Sequence, residues 1–125
     1  MSKRLNETIV AVEYDGLIVG NVPVADAVSV KLAANAGVLK RGTIVTGTAG
    51  GELSQLSAAI EDTNATYILT DDVDTGTDGA VVATAYRTGH FARGKLLTGS
   101  EYALTAADEE ILRRSGIMLD EAITY

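Results

Sequence analysis

The sequence predicts a mainly β fold with one short C-terminal helix and an N-terminal arm. Three observations lead there. Thirteen glycines and one proline are scattered through 125 residues and are not pooled in a linker, which marks many turns between short strands. The apolar share is 46%, with one Phe and no Trp, and is dominated by Ala, Val and Leu, with Ile next. Such a core is aliphatic and finely divided, and its β-branched members suit a pleated surface. Only one stretch, near the end, carries clear start and stop signals of a helix.

The length is that of a single domain, enough to bury about two thirds of the unfolded surface around one core. Residues 1–24 are expected to form an N-terminal arm or hairpin, and residues 25–125 a β-rich body. In the first part, Thr8 to Tyr14 ("TIVAVEY") is β-prone, and Asp15-Gly16 separates it from "LIVGN". Asp-Gly between two apolar runs signals a hairpin, because both central turn positions favour a positive φ. An arm that ends in an isolated turn is the other reading.

Val28 to Leu32 ("VSVKL") alternates apolar and polar residues, the period of a half-buried strand. A helix from Val24 to Ala34 is its rival, since alanine favours helix. Thr43 to Thr48 reads as a short strand closed by Ala49-Gly50-Gly51, and "ELSQLSAAI" after it is ambiguous by period. Tyr67 to Leu69 lies in a β-rich patch, and "DDVDTGTDG", residues 71–79, is a loop by composition. Ala80 to Arg87 is the firmest strand. Val82, Thr84 and Tyr86 share one of its faces and Val81, Ala83 and Ala85 the other, so it is expected to be central and covered on both sides.

The helix opens at Thr105, with Asp108 three residues on as a weak capping box. Asp108, Glu109 and Glu110 crowd its first turn, where the helix dipole favours acids. Glu109 with Arg113 and Glu110 with Arg114 are spaced for i, i+4 ion pairs. Ala107, Ile111 and Leu112 form a narrow apolar face, Gly116 stops the helix, and "IMLDEAITY" reads as a closing strand.

Composition bears on function by what it disfavours. With 17 acidic and 10 basic residues the formal charge is −7, which repels phosphate and argues against nucleic acid or an anionic membrane as a partner. Without cysteine there is no disulfide and no thiolate metal site. No apolar run approaches the roughly 20 residues of a membrane-spanning helix, and the first residues lack a secretory signal, so synthesis in the cytoplasm is expected. The single histidine, His90, stands between Gly89 and Phe91 and reads as a surface turn residue. A calcium loop starting at Asp72 fails at position 5, which is Gly76, and at position 12, which is Ala83. A looser ion site from Asp71, Asp72, Asp74 and Asp78 competes with a solvated turn, and the turn is preferred. Neither a Gly-x-Ser-x-Gly elbow nor a P-loop is present. No catalytic, cofactor-binding or metal residue is assigned, and no cofactor is expected. Arg41-Gly42 and Arg93-Gly94 share a grammar, Arg-Gly before an apolar run. Each is read as a glycine that lets the chain turn sharply into a strand, beside an exposed arginine.

"GVLKRGTIV" and "AVVATAYRTGHFARGKLL", in this order, resemble the lambda-type head decoration proteins of tailed bacteriophages. The charged helix followed by Gly116-Ile117 and an apolar strand fits the same family, as does "YDGLIVGN" near the start. The resemblance covers roughly residues 14–125; its motifs are structural, and the tryptophan that some relatives carry near the end is missing. It implies a bent β-ribbon or small barrel, β-clip or β-tulip like, that forms a trimer on the exterior of the expanded phage head, bound to the major capsid protein, with no enzymatic activity. It also implies an arm that reaches onto the shell and adds a strand there. The residues expected to make that contact are Lys3, Arg4, Thr8, Ile9, Val10 and Val12: a basic tip and a β-prone segment. Another virion part, such as a head-fibre base or tail accessory, is the first alternative. A small β-barrel enzyme or ligand-binding domain is the second; the glycine-flanked Asp and Tyr motifs of small trimeric nucleotide hydrolases are not matched.

Overall fold

A computed structural model of the chain describes residues 17–20, 24–61, 64–99 and 102–120. Nine strands and one α-helix are placed among them: β1 (Ile18–Gly20), β2 (Asp26–Leu32), β3 (Val38–Leu39), β4 (Ile44–Gly47), β5 (Glu52–Gln55), β6 (Ala65–Leu69), β7 (Val73–Asp74), β8 (Val81–Ala92), α1 (Ala106–Ser115) and β9 (Ile117–Asp120). The protein is mainly β with one short C-terminal helix, as the sequence predicts. β8, β2, β5, β4 and β6 follow one another in hydrogen-bonded order, and β6 returns to β8 through Ile68↔Tyr86 and Leu69↔Ala85. The result is a ring-like partial barrel.

β8 is the spine. Its first half pairs with all of β2, from Asp26↔Thr88 to Leu32↔Val81. Its second half leaves the ring and pairs with β1 on one side and, in parallel, with β9 on the other. Two apolar clusters result. Val30, Leu32, Leu39, Val45, Leu53, Leu69, Ala83 and Ala85 fill the barrel. Leu17, Ile44, Leu56, Ile60, Ile68, Phe91, Leu112 and Ile117 pack beneath α1. Alternation along a strand produces this division: Ile44 and Val45, or Ile68 and Leu69, point to opposite clusters from neighbouring positions.

β2 forms where the strand reading put it, and the helical alternative does not. β8 runs five residues beyond the expected end at Arg87, through Gly89 and His90. Gly89 does not break it, since a Cβ there would lie 2.5 Å from the Phe91 ring. The bare glycine is what admits that ring. Covering on both sides holds only for the second half of β8. Val82 is 70% exposed and Thr84 is exposed, because the layer under α1 does not reach them. His90 is not in a turn. It sits within β8, opposite Gly20 and Met118, with its Nε2 3.5 Å from a carboxylate oxygen of Asp120.

α1 is capped more firmly than a weak box implies. Thr105 Oγ1 accepts from the Asp108 amide at 3.2 Å, and the Asp108 carboxylate accepts from the Thr105 amide at 3.0 Å. Gly116 ends the helix with φ 100°. The inward face differs from the expected one. Leu112 and Asp108 are buried, Ile111 is half-buried and Ala107 is exposed. Asp108, 1% exposed, also accepts from the Ile60 amide at 2.9 Å and from the Tyr102 hydroxyl. It ties three segments together. Burial alone would push its carboxyl up, but the hydrogen bonds from Tyr102, Ile60 and Thr105 outweigh that and hold it below its ordinary value. The ion pairs differ in part: Arg114 does help to hold the Glu110 carboxyl below its ordinary value, behind Arg113, but Glu109 does not pair with Arg113. Arg113 pairs with Glu110 at i, i+3, and Glu109 reaches off the helix to Arg93.

Candidate functional site

The two Arg-Gly stretches meet in space. Lys40 to Thr43 is a type II turn: the Thr43 amide donates to the Lys40 carbonyl at 3.0 Å, and Gly42 at its third position has φ +93°. The chain then passes directly into β4, as the glycine reading expects. The segment after Lys95 lies alongside in parallel: Leu97 N donates to Gly42 O at 3.0 Å and Ile44 N to Leu97 O at 2.9 Å. Arg93-Gly94 behaves differently. It leads out of β8 as a 3-10 turn, Arg93–Lys95, and Gly94 is not among the glycines of positive φ. The same dipeptide makes a turn into a strand once and an exit from a strand once.

Neither arginine lies free beside its turn. Arg41 donates from Nη1 to the Thr70 carbonyl (2.9 Å) and to the Tyr86 hydroxyl (3.2 Å), with its guanidinium 5.9 Å from the centre of the Tyr86 ring. Arg93 makes a bidentate pair with Glu109, at 2.7 and 2.9 Å, fastening the turn to α1. These side chains are structural braces, and sequence reasoning missed them because both partners lie far away in the chain.

The acidic loop is mostly a loop, but Val73 and Asp74 pair with Leu39 and Val38 in a small ribbon. Thr75, fully buried, accepts from the Ala36 amide and donates to the Gly37 carbonyl, which fixes that ribbon. The carboxylates face separate partners: Asp72 the Arg41 amide and the Lys40 ammonium, Asp74 the Gly76 amide, Asp71 the Thr70 hydroxyl. The hydrogen bond from the Arg41 amide, with Lys40 assisting, holds the Asp72 carboxyl below its ordinary value. Among the described residues no three His, Cys, Asp or Glu side chains come together in a way that could hold a metal ion.

Lys3, Arg4, Thr8, Ile9, Val10 and Val12, and the Asp15-Gly16 hairpin, lie outside the described residues. The point where the N-terminal segment joins the body is visible. Leu17 is 2% exposed in the cluster under α1, and its carbonyl accepts from the Ala92 amide at 2.7 Å. β1 follows at the margin of the sheet and pairs only with β8 among the described residues. Leu17 and β1 thus pack with the body, although they fall in the stretch 1–24.

A further concave site lies at one mouth of the barrel. It is a half-open hollow of about 280 Å³ whose walls include Val30, Lys31, Gly50, Leu53, Tyr67 and Val82. Sequence reasoning did not find it; the one signal was Val82, an apolar side chain on a strand face left bare. No protein-family model and no curated protein matches the chain.

Proposed function

We propose that this chain is a decoration protein of a tailed-phage head, which binds the outer surface of the expanded major capsid shell as a trimer and stabilises it without catalysis. The observation that carries the reading is the way the N-terminal segment joins the fold. Residues before Leu17 run into a marginal strand, β1, at the second half of β8, so a β-prone segment precedes an already anchored core residue. A β-prone segment can add to a partner's sheet, with main-chain hydrogen bonds supplying the affinity. The mainly β body with one short capped helix agrees with what the resemblance implies. The stabilising mechanism is linkage. A protein that binds assembled shell but not free subunits stabilises the shell by about 2.7 kcal/mol per site at 100 times its dissociation constant, repeated over every site.

Co-sedimentation with expanded and unexpanded shells tests the reading. The full chain is expected to pellet with expanded shells and to stay in solution with unexpanded ones. Deleting residues 1–13 spares Leu17 and is expected to leave a folded trimer that no longer binds. Undiminished affinity after that deletion would sink the arm, and absence of binding by the full chain would sink decoration altogether.

A further inference from the structure

The loop that leads into β8 sets two neighbouring groups up for chemistry on the chain itself. Asp-Gly stands at Asp15-Gly16 and at Asp78-Gly79, and only the second pair lies among the described residues. Every residue from Gly76 to Ala80 is exposed. The Asp78 carboxylate makes no hydrogen bond or salt bridge among the described residues, and the Gly79 amide donates to no acceptor there. A Cβ on Gly79 would meet nothing within 4 Å, so the approach to its nitrogen is open. An electrophile and a nucleophile stand side by side, and neither is engaged.

The other described aspartates are engaged. Asp74 accepts from the Gly76 amide, and the amide after it, that of Thr75, donates to the Gly37 carbonyl at 3.0 Å. Asp108 is held by its three donors, and the Glu109 amide donates to the Thr105 carbonyl at 3.1 Å. Asp71 takes the Thr70 hydroxyl, Asp72 the Arg41 amide, Asp26 the Arg87 guanidinium, and Asp120 lies beside His90.

We infer that Asp78-Gly79 is a site of self-modification, at which aspartate converts to isoaspartate through a cyclic imide, with water as the only co-reactant. The Gly79 nitrogen attacks Cγ of the protonated Asp78 carboxyl. A C–N bond forms, the Cγ–OH and Gly79 N–H bonds break, and one water leaves. A water then opens the ring at either carbonyl. Opening at Cγ restores aspartate. Opening at the Asp78 carbonyl carbon routes the main chain through Cβ and Cγ and frees the α-carboxylate. One water is lost and one regained, and nothing is oxidised or reduced. Glycine suits the step because it has no Cβ to hinder the nitrogen and reaches backbone conformations closed to other residues. The product has one more methylene in its main chain, and the fold can absorb it locally. Thr75 is fixed by Ala36 and Gly37 on one side of the loop, and Val81 pairs with Leu32 on the other, so the slack stays within exposed residues. The inference does not depend on what the chain binds.

The test is to age the full chain for weeks in warm neutral buffer, folded and, in parallel, unfolded in denaturant. Each sample is then digested with a protease that cuts on the amino side of aspartate but not of isoaspartate, and the fragments are weighed. The folded chain is expected to lose cleavage between Thr77 and Asp78 without a change in mass, alongside a minor species lighter by one water. Its rate should lie within severalfold of the unfolded chain's, because the loop is already free. Cleavage before Asp71, Asp72, Asp74 and Asp108 should persist in the folded chain. Asp78→Glu keeps the charge at an exposed position but would need a larger ring, and is expected to form no imide in this loop. Isoaspartate at Asp78 in denaturant but not in the folded chain would overturn the inference, since the fold would then protect the pair. Equal conversion at Asp71, Asp72 or Asp74 would overturn it too, since engagement of those carboxylates would then make no difference. An imide formed as readily in Asp78→Glu would place the reaction elsewhere.

Discussion

Gly42 and Lys95 touch: a Cβ on Gly42 would lie 2.9 Å from the Lys95 carbonyl oxygen, and Gly42 itself has φ +93°. Steric crowding and backbone hand therefore both require glycine. Gly42→Ala is expected to lower the unfolding free energy by about 1–3 kcal/mol, read from a denaturant melt. Gly94 is the contrast: its φ is not positive, and a methyl added there would meet nothing within 4 Å. Gly94→Ala should be neutral or stabilise by up to about 1 kcal/mol, chiefly by restricting the unfolded chain. Equal destabilisation at both sites would contradict the assignment of the two turns.

Arg93 and Glu109 bring a turn and a helix together through two charge-assisted hydrogen bonds, but both side chains remain partly in water. Their coupling in a double-mutant cycle is expected to be about 0.5–1 kcal/mol and to shrink in high salt. A coupling indistinguishable from zero at low salt would show that the pair only decorates the surface.

Asp108 is the polar group on which most depends. Each of its bonded neighbours donates: the Thr105 amide, the Ile60 amide and the Tyr102 hydroxyl. Asparagine would turn an NH2 toward one of these donors, so Asp108→Asn is expected to cost about 2–3 kcal/mol despite its similar shape. A loss under about 0.5 kcal/mol would mean that those donors find other acceptors.

The same carboxylate sets an acid limit. Its folded pKa lies below the ordinary 3.8, so between the two values the unfolded chain holds the extra proton. Stability from this group is present above 3.8 and is lost as pH falls through the lower folded value. Chemical melts from about pH 7 to about pH 2 should show the gap between wild type and Asp108→Asn narrowing only at the acid end. A gap that stays constant across that whole range would rule out this linkage.

Gly89→Ala is the strongest test of the spine. The added methyl would sit 2.5 Å from the Phe91 ring, which is itself fully buried. A loss of about 1–3 kcal/mol is expected from overpacking together with the strain of a side chain at φ +154°. Phe91→Leu in the same background should recover part of it, and a failure to recover any would place the strain elsewhere.

These residues also show how far the sequence could be read. The helix was legible because its signals are local: Thr105, Asp108 and Gly116 lie close together in the chain and need little outside them to act. Strands were legible as types, from alternation and β-branching, but not in length. Gly89-His90 looks like a break, and only the Phe91 ring and a φ of +154° show why glycine is needed there. Partners were hidden. Nothing local tells Glu109 to leave Arg113 for Arg93, or Thr75 to join Ala36 and Gly37. The barrel mouth needs distant segments to exist at all, so no stretch of sequence contains it.

β8 has a consequence for how the chain folds as it is made. β1, β2 and β6 are synthesised before it, yet each takes a place in the sheet against it, and the ring has no closure until Ala85 and Tyr86 meet Leu69 and Ile68. Residues 17–80 therefore leave the ribosome with their strand edges waiting, and closure depends on contacts distant in sequence, which are slow to find. β9 can dock only afterwards, once α1 has carried the chain back to run parallel to β8. A ribosome stalled before residue 81 would hold a chain of half-paired strands, open to protease; one stalled late enough to release residue 120 would hold a resistant body. The passage between those two lengths is where the fold is committed.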